Sequence, residues 1–138
     1  MYRCASHAFP RRVALMLLCA LPLLGALPSA QAQVARHFPA NALRGELVLT
    51  QPPIVQLNGK PERLAPGARI RSPNNLLLMP GSLIGEKLVV HYTREFTGLL
   101  MDVWVLNEVE LANKTWPSTP QEAASWRFDL ASQVWTKP

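Results

Sequence analysis

The chain contains little cysteine and no long hydrophobic run. Of its 138 residues only Cys4 and Cys19 are cysteines, and the apolar run over residues 13–27 has fifteen residues. As a helix, such a run rises about 22 Å, which is short of the roughly 30 Å hydrocarbon core of a bilayer. The sequence therefore argues against a retained membrane-spanning helix. Residues 33–138 hold no cysteine, which excludes a disulfide, a thiol nucleophile and a thiolate metal ligand in that part of the chain.

Residues 1–32 show the three regions of a cleavable secretory signal. Basic residues without any acidic one precede the apolar run, and the small residues Ala30 and Ala32 follow it in the A-x-A pattern of a signal peptidase site. We expect cleavage after Ala32. This pattern predicts a periplasmic or secreted protein that contacts the membrane only through its signal, during export.

Two other export routes would use the same segment. A lipoprotein signal needs a small residue immediately before the modified cysteine, whereas Leu18 precedes Cys19. A twin-arginine signal would use Arg11 and Arg12, but the polar residue that usually precedes such a pair is absent. The general secretory route is the better interpretation of the segment.

The charge balance changes when the signal is removed. The formal net charge of the whole chain is +5, and residues 33–138 retain eleven Lys and Arg against nine Asp and Glu, a net charge of +2. Nucleic-acid binding usually requires a concentrated basic surface, so no nucleic-acid partner is expected. The same residues contain ten prolines, which argue against long helices.

Turn residues divide residues 45–106 into short segments with the composition and alternation of β-strands. Asn58-Gly59 is the strongest turn signal, because both positions of a type I′ hairpin turn need a positive φ. Ala65-Pro66-Gly67 is interpreted as a second turn. The predicted strands cover residues 45–50, 54–57, 60–64, 68–71, 76–79, 87–93 and 99–106. Of these seven segments, five or six are expected to form short antiparallel strands, which predicts a mainly β domain over residues 45–106, either a small barrel or a compact sandwich.

The last two predicted strands form the best-defined unit, a hairpin with a loop over residues 94–98. If Thr93 faces Leu99, then His91 lies opposite Met101. Both faces of this hairpin are largely apolar, which predicts a central pair of strands covered on each side.

The two ends of the exported chain have weaker patterns. Residues 33–44 are predicted as an irregular lead-in, and residues 107–138 as a C-terminal segment that is a short helix or irregular. Asn107 can cap a brief helical turn, and Thr119-Pro120-Gln121-Glu122 matches a capping box with proline at the first helical position. A helix over residues 120–132 is one interpretation. Strand-like alternation at Trp126, Phe128 and Leu130 favours a strand instead, and the sequence pattern does not decide between helix and strand.

Part of the β domain resembles a group of exported bacterial proteins. The resemblance depends on Leu57-Asn58-Gly59-Lys60, on the stretch LAPGARI at residues 64–70 and on Val103-Trp104-Val105-Leu106. Over residues 57–106 the chain is similar to uncharacterised small exported proteobacterial proteins and, in layout, to small exported β-barrel domains of OB-like or SH3-like shape. These motifs are turn and strand residues, so the resemblance implies a fold and brings no activity with it.

No catalytic or cofactor motif stands out. Residues 33–138 contain two histidines, His37 in the lead-in and His91 in a predicted strand, which is thin support for a metal site. Asp102 is a carboxylate on an apolar strand, and it is interpreted as facing solvent or as paired with Arg69 or Arg71. No acid or base that would work with Asp102 can be named. The sequence therefore predicts a protein that is not an enzyme and has no cofactor or metal.

The one surface that the sequence suggests for binding is basic. Arg69 and Arg71 alternate with apolar residues, so both guanidinium groups leave the same face of one strand. The predicted binding residues are Arg63, Arg69, Arg71 and Trp104. A solvated strand face is the plainer interpretation of the same pattern. Among the other tryptophans, Trp116 and Trp135 are either exposed binding platforms or clamps that hold the tail on the domain.

Together these features predict an exported, non-catalytic envelope protein that binds a partner protein or an envelope polymer. The alternative is a β-barrel that binds an anionic ligand on its basic strand face, because guanidinium groups suit phosphate and carboxylate.

Overall fold

The computed structural model of the protein describes residues 35–138, and the predicted export signal with Ala30 and Ala32 lies outside the described residues. In chain order the elements are β1 (Leu43–Gln51), β2 (Ile54–Leu57), β3 (Lys60–Arg71), β4 (Leu77–Leu78), a 3-10 turn (Pro80–Leu83), β5 (Lys87–Arg94), β6 (Leu100–Val105), α1 (Glu108–Ala112), α2 (Pro120–Ser125), β7 (Arg127–Asp129) and β8 (Val134–Thr136). No helix in this part of the chain is long and apolar enough to cross a membrane.

Six strands form one sheet in the order β2-β1-β5-β6-β3-β4, and β2 also pairs with β3. Five strands therefore form a closed circuit, in which each pairs with the next in the order β1-β2-β3-β6-β5 and β5 pairs with β1. β4 is attached to the end of β3. The predicted mainly β fold is confirmed. One pairing differs from the expected antiparallel arrangement: β3 and β6 run parallel. The chain passes through β4 and β5 between them, and because β5 runs in the opposite direction to β6, β6 again runs in the direction of β3.

The Asn-Gly hairpin between β2 and β3 forms as predicted. Asn58 and Gly59 have φ values of 52° and 78°, and Leu57 pairs with Lys60 across the turn. The side-chain oxygen of Asn58 also accepts a hydrogen bond from the backbone N–H of Glu46 on β1, at 2.9 Å. This hydrogen bond ties the turn to β1, which pairs with β2 on the side opposite β3.

The predicted turn at Ala65-Pro66-Gly67 is wrong. β3 continues through these residues, and its register against β6 shifts between Leu64 and Arg69. Gly67 has a φ of 78°, a conformation that favours glycine. A positive φ occurs in β-bulges as well as in turns. Here it belongs to an irregularity within β3, and the chain does not reverse direction. The strand expected over residues 76–79 is shorter and consists of Leu77–Leu78.

The central hairpin forms, but its predicted register is wrong. His91 pairs with Trp104 and not with Met101, and the register shifts between Tyr92 and Arg94. The loop length alone does not reveal such an irregularity, which changes the pairing of every residue beyond it. Both faces of β5 are nonetheless covered, as predicted, because Tyr92 is buried on one face and His91 on the other.

Two clusters of buried side chains stabilise the domain. The first is built mainly from strand residues and contains Leu43, Leu47, Leu49, Val55, Leu57, Leu64, Ile70, Leu83, Val90, Tyr92, Leu100 and Val103. The second joins the lead-in and the C-terminal segment to the end of the sheet, and its buried members are Phe38, Ala42, Leu106, Trp116 and Trp135. Residues after 106 are therefore part of the core of the domain and not an appended tail.

The C-terminal segment contains both structures between which the sequence did not decide. α1 begins after Asn107, whose side chain accepts a hydrogen bond from the backbone N–H of Glu110 at 2.9 Å in a complete capping box. α2 begins after Thr119 but ends at Ser125, not at residue 132. β7 and β8 then pair as a hairpin, so the helix interpretation holds for residues 120–125 and the strand interpretation for residues 127–129.

Candidate functional site

The predicted basic face is partly neutralised by a carboxylate. The guanidinium of Arg69 donates two hydrogen bonds to Asp102 on β6, from Nε to Oδ1 at 2.8 Å and from Nη2 to Oδ2 at 3.1 Å. These bonds raise the pKa of Arg69. Asp102 therefore has one of the arginine partners that its sequence context suggested, and an anionic ligand would have to compete with this carboxylate for Arg69.

The other predicted binding residues do not form one site. Arg63 and Arg71 stand eight residues apart on β3, which is up to about 26 Å along an extended strand. Arg71 is the register neighbour of Trp104 on β6. Trp104 is half-buried and packs against the second cluster, with its ring centroid 5.6 Å from that of Phe38. The structure brings Arg71 to Trp104 and Arg69 to Asp102, and it leaves Arg63 next to β2.

The remaining tryptophans clamp the C-terminal segment onto the domain. Trp116 and Trp135 are each 4% exposed. The indole Nε1 of Trp116 donates a hydrogen bond to the carbonyl of Ala42 at 2.9 Å, and the ring of Trp135 stacks on Phe128 with centroids 4.6 Å apart. Of the two interpretations of these residues, the clamp is the one observed.

Residues 35–42 of the lead-in contain no helix or strand, and β1 begins at Leu43, two residues inside the predicted lead-in. One arginine that the sequence did not single out fixes residues 35–42 in place. The nearly buried side chain of Arg36 forms an ion pair with Glu110 of α1. Its Nη1 and Nη2 atoms also donate to the carbonyl oxygens of Ser72 and Val105, both at 2.8 Å. No local pattern marks Arg36, because these partners lie 36 to 74 residues away in the sequence.

His91 is buried on β5 without a hydrogen-bond partner. Its ring stacks on Trp116 with centroids 4.1 Å apart, and Phe38 meets it nearly at a right angle with centroids 4.5 Å apart. Neither ring nitrogen has a partner among residues 35–138. Burial, together with the charges of Arg44 and Arg36, lowers the pKa of His91 to about 3. The imidazole is therefore neutral near pH 7, with one unused donor and one unused acceptor.

The same imidazole lines a cleft of about 310 Å³. The buried rings of Phe38 and Trp116 line it too, and the exposed residues His37 and Val109 stand at its rim. A cleft of this volume lies at the lower end of the range for small-molecule sites, which are mostly apolar with a few placed polar groups. No local pattern in the sequence indicates this cleft, because its walls come from segments that are distant along the chain.

The two charged side chains of the described chain that line the cleft, Arg36 and Glu110, pair with each other, and a second arginine, Arg44, lies close behind the lining. Arg36 is paired with Glu110, whereas Arg44 donates to the backbone carbonyls of Asn113 and Leu111 and forms no ion pair within residues 35–138. Arg44 is the cross-strand partner of His91 on β1, so its guanidinium belongs to the residue next to the imidazole. The surroundings therefore favour a ligand with a negative group.

Both histidines of the described chain, His37 and His91, line this cleft. Residues 35–138 nevertheless contain no group of three or more His, Cys, Asp or Glu side chains that could hold a metal ion. The chemistry that the cleft offers is hydrogen bonding and ring stacking.

A separate feature is an exposed apolar surface at the edge of the sheet. Leu76 and Leu77 are each 66% exposed and Met79 is 77% exposed; we call these three residues the β4 surface. β4 pairs only with β3 in the part of the chain that the structure describes, so its outer backbone edge carries no strand. Arg71, the cross-strand neighbour of Leu77, forms no ion pair within residues 35–138.

No protein-family model, no curated protein and no solved structure matches the chain. Functional inference for this protein therefore depends on its own cleft and its own surfaces.

Proposed function

We propose that this protein is an exported, non-catalytic binding module of the cell envelope that docks a partner protein on the β4 surface. The observation that carries the proposal is the combination of three strongly exposed apolar side chains with an unpaired strand edge. Exposed apolar groups that lie together on a folded protein mark interaction sites, whereas isolated ones are ordinary.

The chemistry of this edge favours an extended partner segment. An unpaired strand edge is a template on which another chain can add a strand, with backbone hydrogen bonds supplying affinity and side-chain contacts supplying specificity. Leu77 would meet apolar side chains of that segment. Arg71 lies across from Leu77 and favours a carboxylate nearby. The expected partner is therefore a protein with an extended, apolar segment that also carries an acidic residue.

Affinity capture from the cell envelope tests the docking proposal. Changing Leu76→Gln together with Leu77→Gln keeps the side chains similar in size but removes their apolar character. This double variant should lose the captured partner. Phe96→Gln is the matched control, because Phe96 is a single exposed aromatic, 97% exposed, in the loop between β5 and β6. A partner that the double variant captures as well as the unaltered protein does would contradict docking at this surface.

Export is tested by the N terminus of the processed protein. The A-x-A pattern at Ala30 and Ala32 supports cleavage that leaves Gln33 first. N-terminal sequencing of protein from the periplasm should give Gln33, and bulky residues at positions 30 and 32 should block processing. Met1 retained on the exported protein would contradict the signal interpretation.

An envelope polymer is the second candidate ligand, and the strand arrangement supports it. The circuit β1-β2-β3-β6-β5 with one parallel pair resembles OB-type sheets, in which the face of strands 2 and 3 binds oligosaccharides and oligonucleotides. Arg63 of β3 is exposed beside Ile54 of β2 and forms no ion pair within the described residues. An anionic oligosaccharide would suit this position.

Chromatography on an immobilised anionic polysaccharide tests this second candidate. Arg63→Ala should lower the salt concentration needed for elution, because exposed charge contacts are screened by salt. Arg69→Ala is the comparison, and it should elute nearly as the unaltered protein does, since Asp102 already engages Arg69. Equal elution of both variants and the unaltered protein would remove the candidate.

A further inference from the structure

The imidazole of His91 is poorly explained as a core residue. Buried polar groups in folded proteins are nearly always hydrogen-bonded, so each exception asks for a physical reason. A phenylalanine ring would fill a similar place between Phe38 and Trp116 and would leave no polar atom without a partner. A ligand that exchanges hydrogen bonds with the imidazole would explain it, because His91 itself lines the cleft. The imidazole is 2% exposed, so such a ligand reaches a ring nitrogen only when the side chains that cover it move aside.

The floor of the cleft favours a flat ring. The rings of Phe38 and Trp116 lie against His91, and aromatic rings prefer stacked or edge-on contact with other aromatic rings. A volume of about 310 Å³ is sufficient for one ring with a short substituent.

The charges favour a substituent that is negative. Arg44 is the cross-strand partner of His91, and Arg36 lines the cleft. Among residues 35–138, Glu110 is the one carboxylate that lines it. A carboxylate on the ligand could accept a hydrogen bond from the imidazole N–H and would lie in the field of both guanidinium groups. A cationic ligand would be repelled.

We propose that the cleft beside His91 binds a small aromatic carboxylate, with its ring against Phe38 and Trp116 and its carboxylate accepting a hydrogen bond from the His91 imidazole. This site is separate from the β4 surface and shares no residue with it. Its failure or success therefore leaves the proposed docking function to its own test.

Binding of three probes to the processed protein tests the site. Benzoate carries the ring and the charge, benzyl alcohol carries the ring with a neutral hydroxyl, and acetate carries the charge without the ring. Benzoate should quench tryptophan fluorescence and shift the NMR signals of the His91 imidazole, at concentrations at least tenfold lower than either of the other probes requires.

Two substitutions locate the binding and its charge dependence. His91→Phe should weaken benzoate binding about tenfold or more, because it removes the hydrogen bond to a charged group while keeping a ring in place. Val109→Glu adds a negative charge at the rim, in the first turn of α1 where a carboxylate suits the helix. It should weaken benzoate several-fold, and the neutral, similarly sized Val109→Gln should not.

Four results would overturn the proposal. Benzoate binding that is unchanged in a folded His91→Phe variant would place the ligand elsewhere. Benzyl alcohol bound as tightly as benzoate would show that the ligand needs no negative charge. Acetate bound as tightly as benzoate would show that it needs no aromatic ring. Equal binding by Val109→Glu and Val109→Gln would also contradict an anion in this cleft.

Discussion

Replacing His91 by phenylalanine should remove a large part of the pH dependence of stability in mildly acidic solution. In the folded protein the pKa of His91 is lowered from 6.5 to about 3. As the pH falls below 6.5, the unfolded chain takes up a proton that the folded protein does not bind until the pH is near 3. The contribution of neutral His91 is therefore fully present above pH 6.5 and is lost progressively as the pH falls from 6.5 to 3.

The size of the effect follows from the difference between the two pKa values. Between pH 7.5 and pH 5 the unfolded imidazole becomes almost fully protonated while the folded one stays neutral, which lowers the free energy of unfolding by about 2 kcal/mol. For a domain of this size that corresponds to a fall in Tm of about 8 °C. The charged groups around the cleft, Arg36, Arg44 and Glu110, are the same in His91→Phe, so they do not contribute to the difference between the two proteins.

Urea unfolding followed by tryptophan fluorescence at pH 7.5, 6 and 5 measures this difference. The unaltered protein should lose about 2 kcal/mol more than His91→Phe over this range. At pH 7.5 the variant should be at least as stable, because it buries no unpaired nitrogen. His37→Gln, which alters the exposed histidine at the rim, should keep most of the pH dependence of the unaltered protein. Parallel pH profiles for the unaltered protein and His91→Phe would refute the reasoning.

Three further substitutions test how the fold is held together. Arg36→Ala should lower the free energy of unfolding by about 3 kcal/mol in urea, because it leaves the half-buried Glu110 without its partner. Arg69→Ala should move the urea midpoint less, since the Arg69 side chain is 50% exposed against 6% for Arg36, and ion pairs with an exposed member contribute little. Gly67→Ala should cost about 1 kcal/mol, because alanine is strained at a φ of 78°. A midpoint unchanged by Gly67→Ala would mean that the bulge in β3 relaxes without strain.

Local signals in the sequence predicted the local structure correctly. The Asn58-Gly59 turn and the N-caps at Asn107 and Thr119 each depend on residues within a few positions of one another, and each appears where it was predicted. The composition of the strands was likewise sufficient for the mainly β fold, because β-branched and aromatic residues favour a pleated, half-buried surface.

The main errors concern how strands pair, which the local pattern does not report. Ala65-Pro66-Gly67 has the composition of a turn, but the ladder with β6 extends β3 through it. The register between His91 and Trp104 depends on an irregularity near Arg94 that loop length does not encode.

The cleft was missed for the same physical reason. His91 looked like an ordinary strand residue, and the stacking against Trp116 becomes apparent only when the C-terminal segment folds over β5. The Arg36 ion pair with Glu110 joins residues 74 apart, and no periodicity in the sequence reports such a contact.

Photo-crosslinking in living cells tests the docking function most directly. A photo-reactive amino acid in place of Leu77 should give one discrete protein adduct in the envelope, because that side chain is exposed beside the unpaired edge of β4. The same amino acid in place of Phe96, which is exposed but isolated, should give none. An adduct from position 96 without one from position 77, or no adduct from position 77 in a correctly exported protein, would contradict docking on the β4 surface.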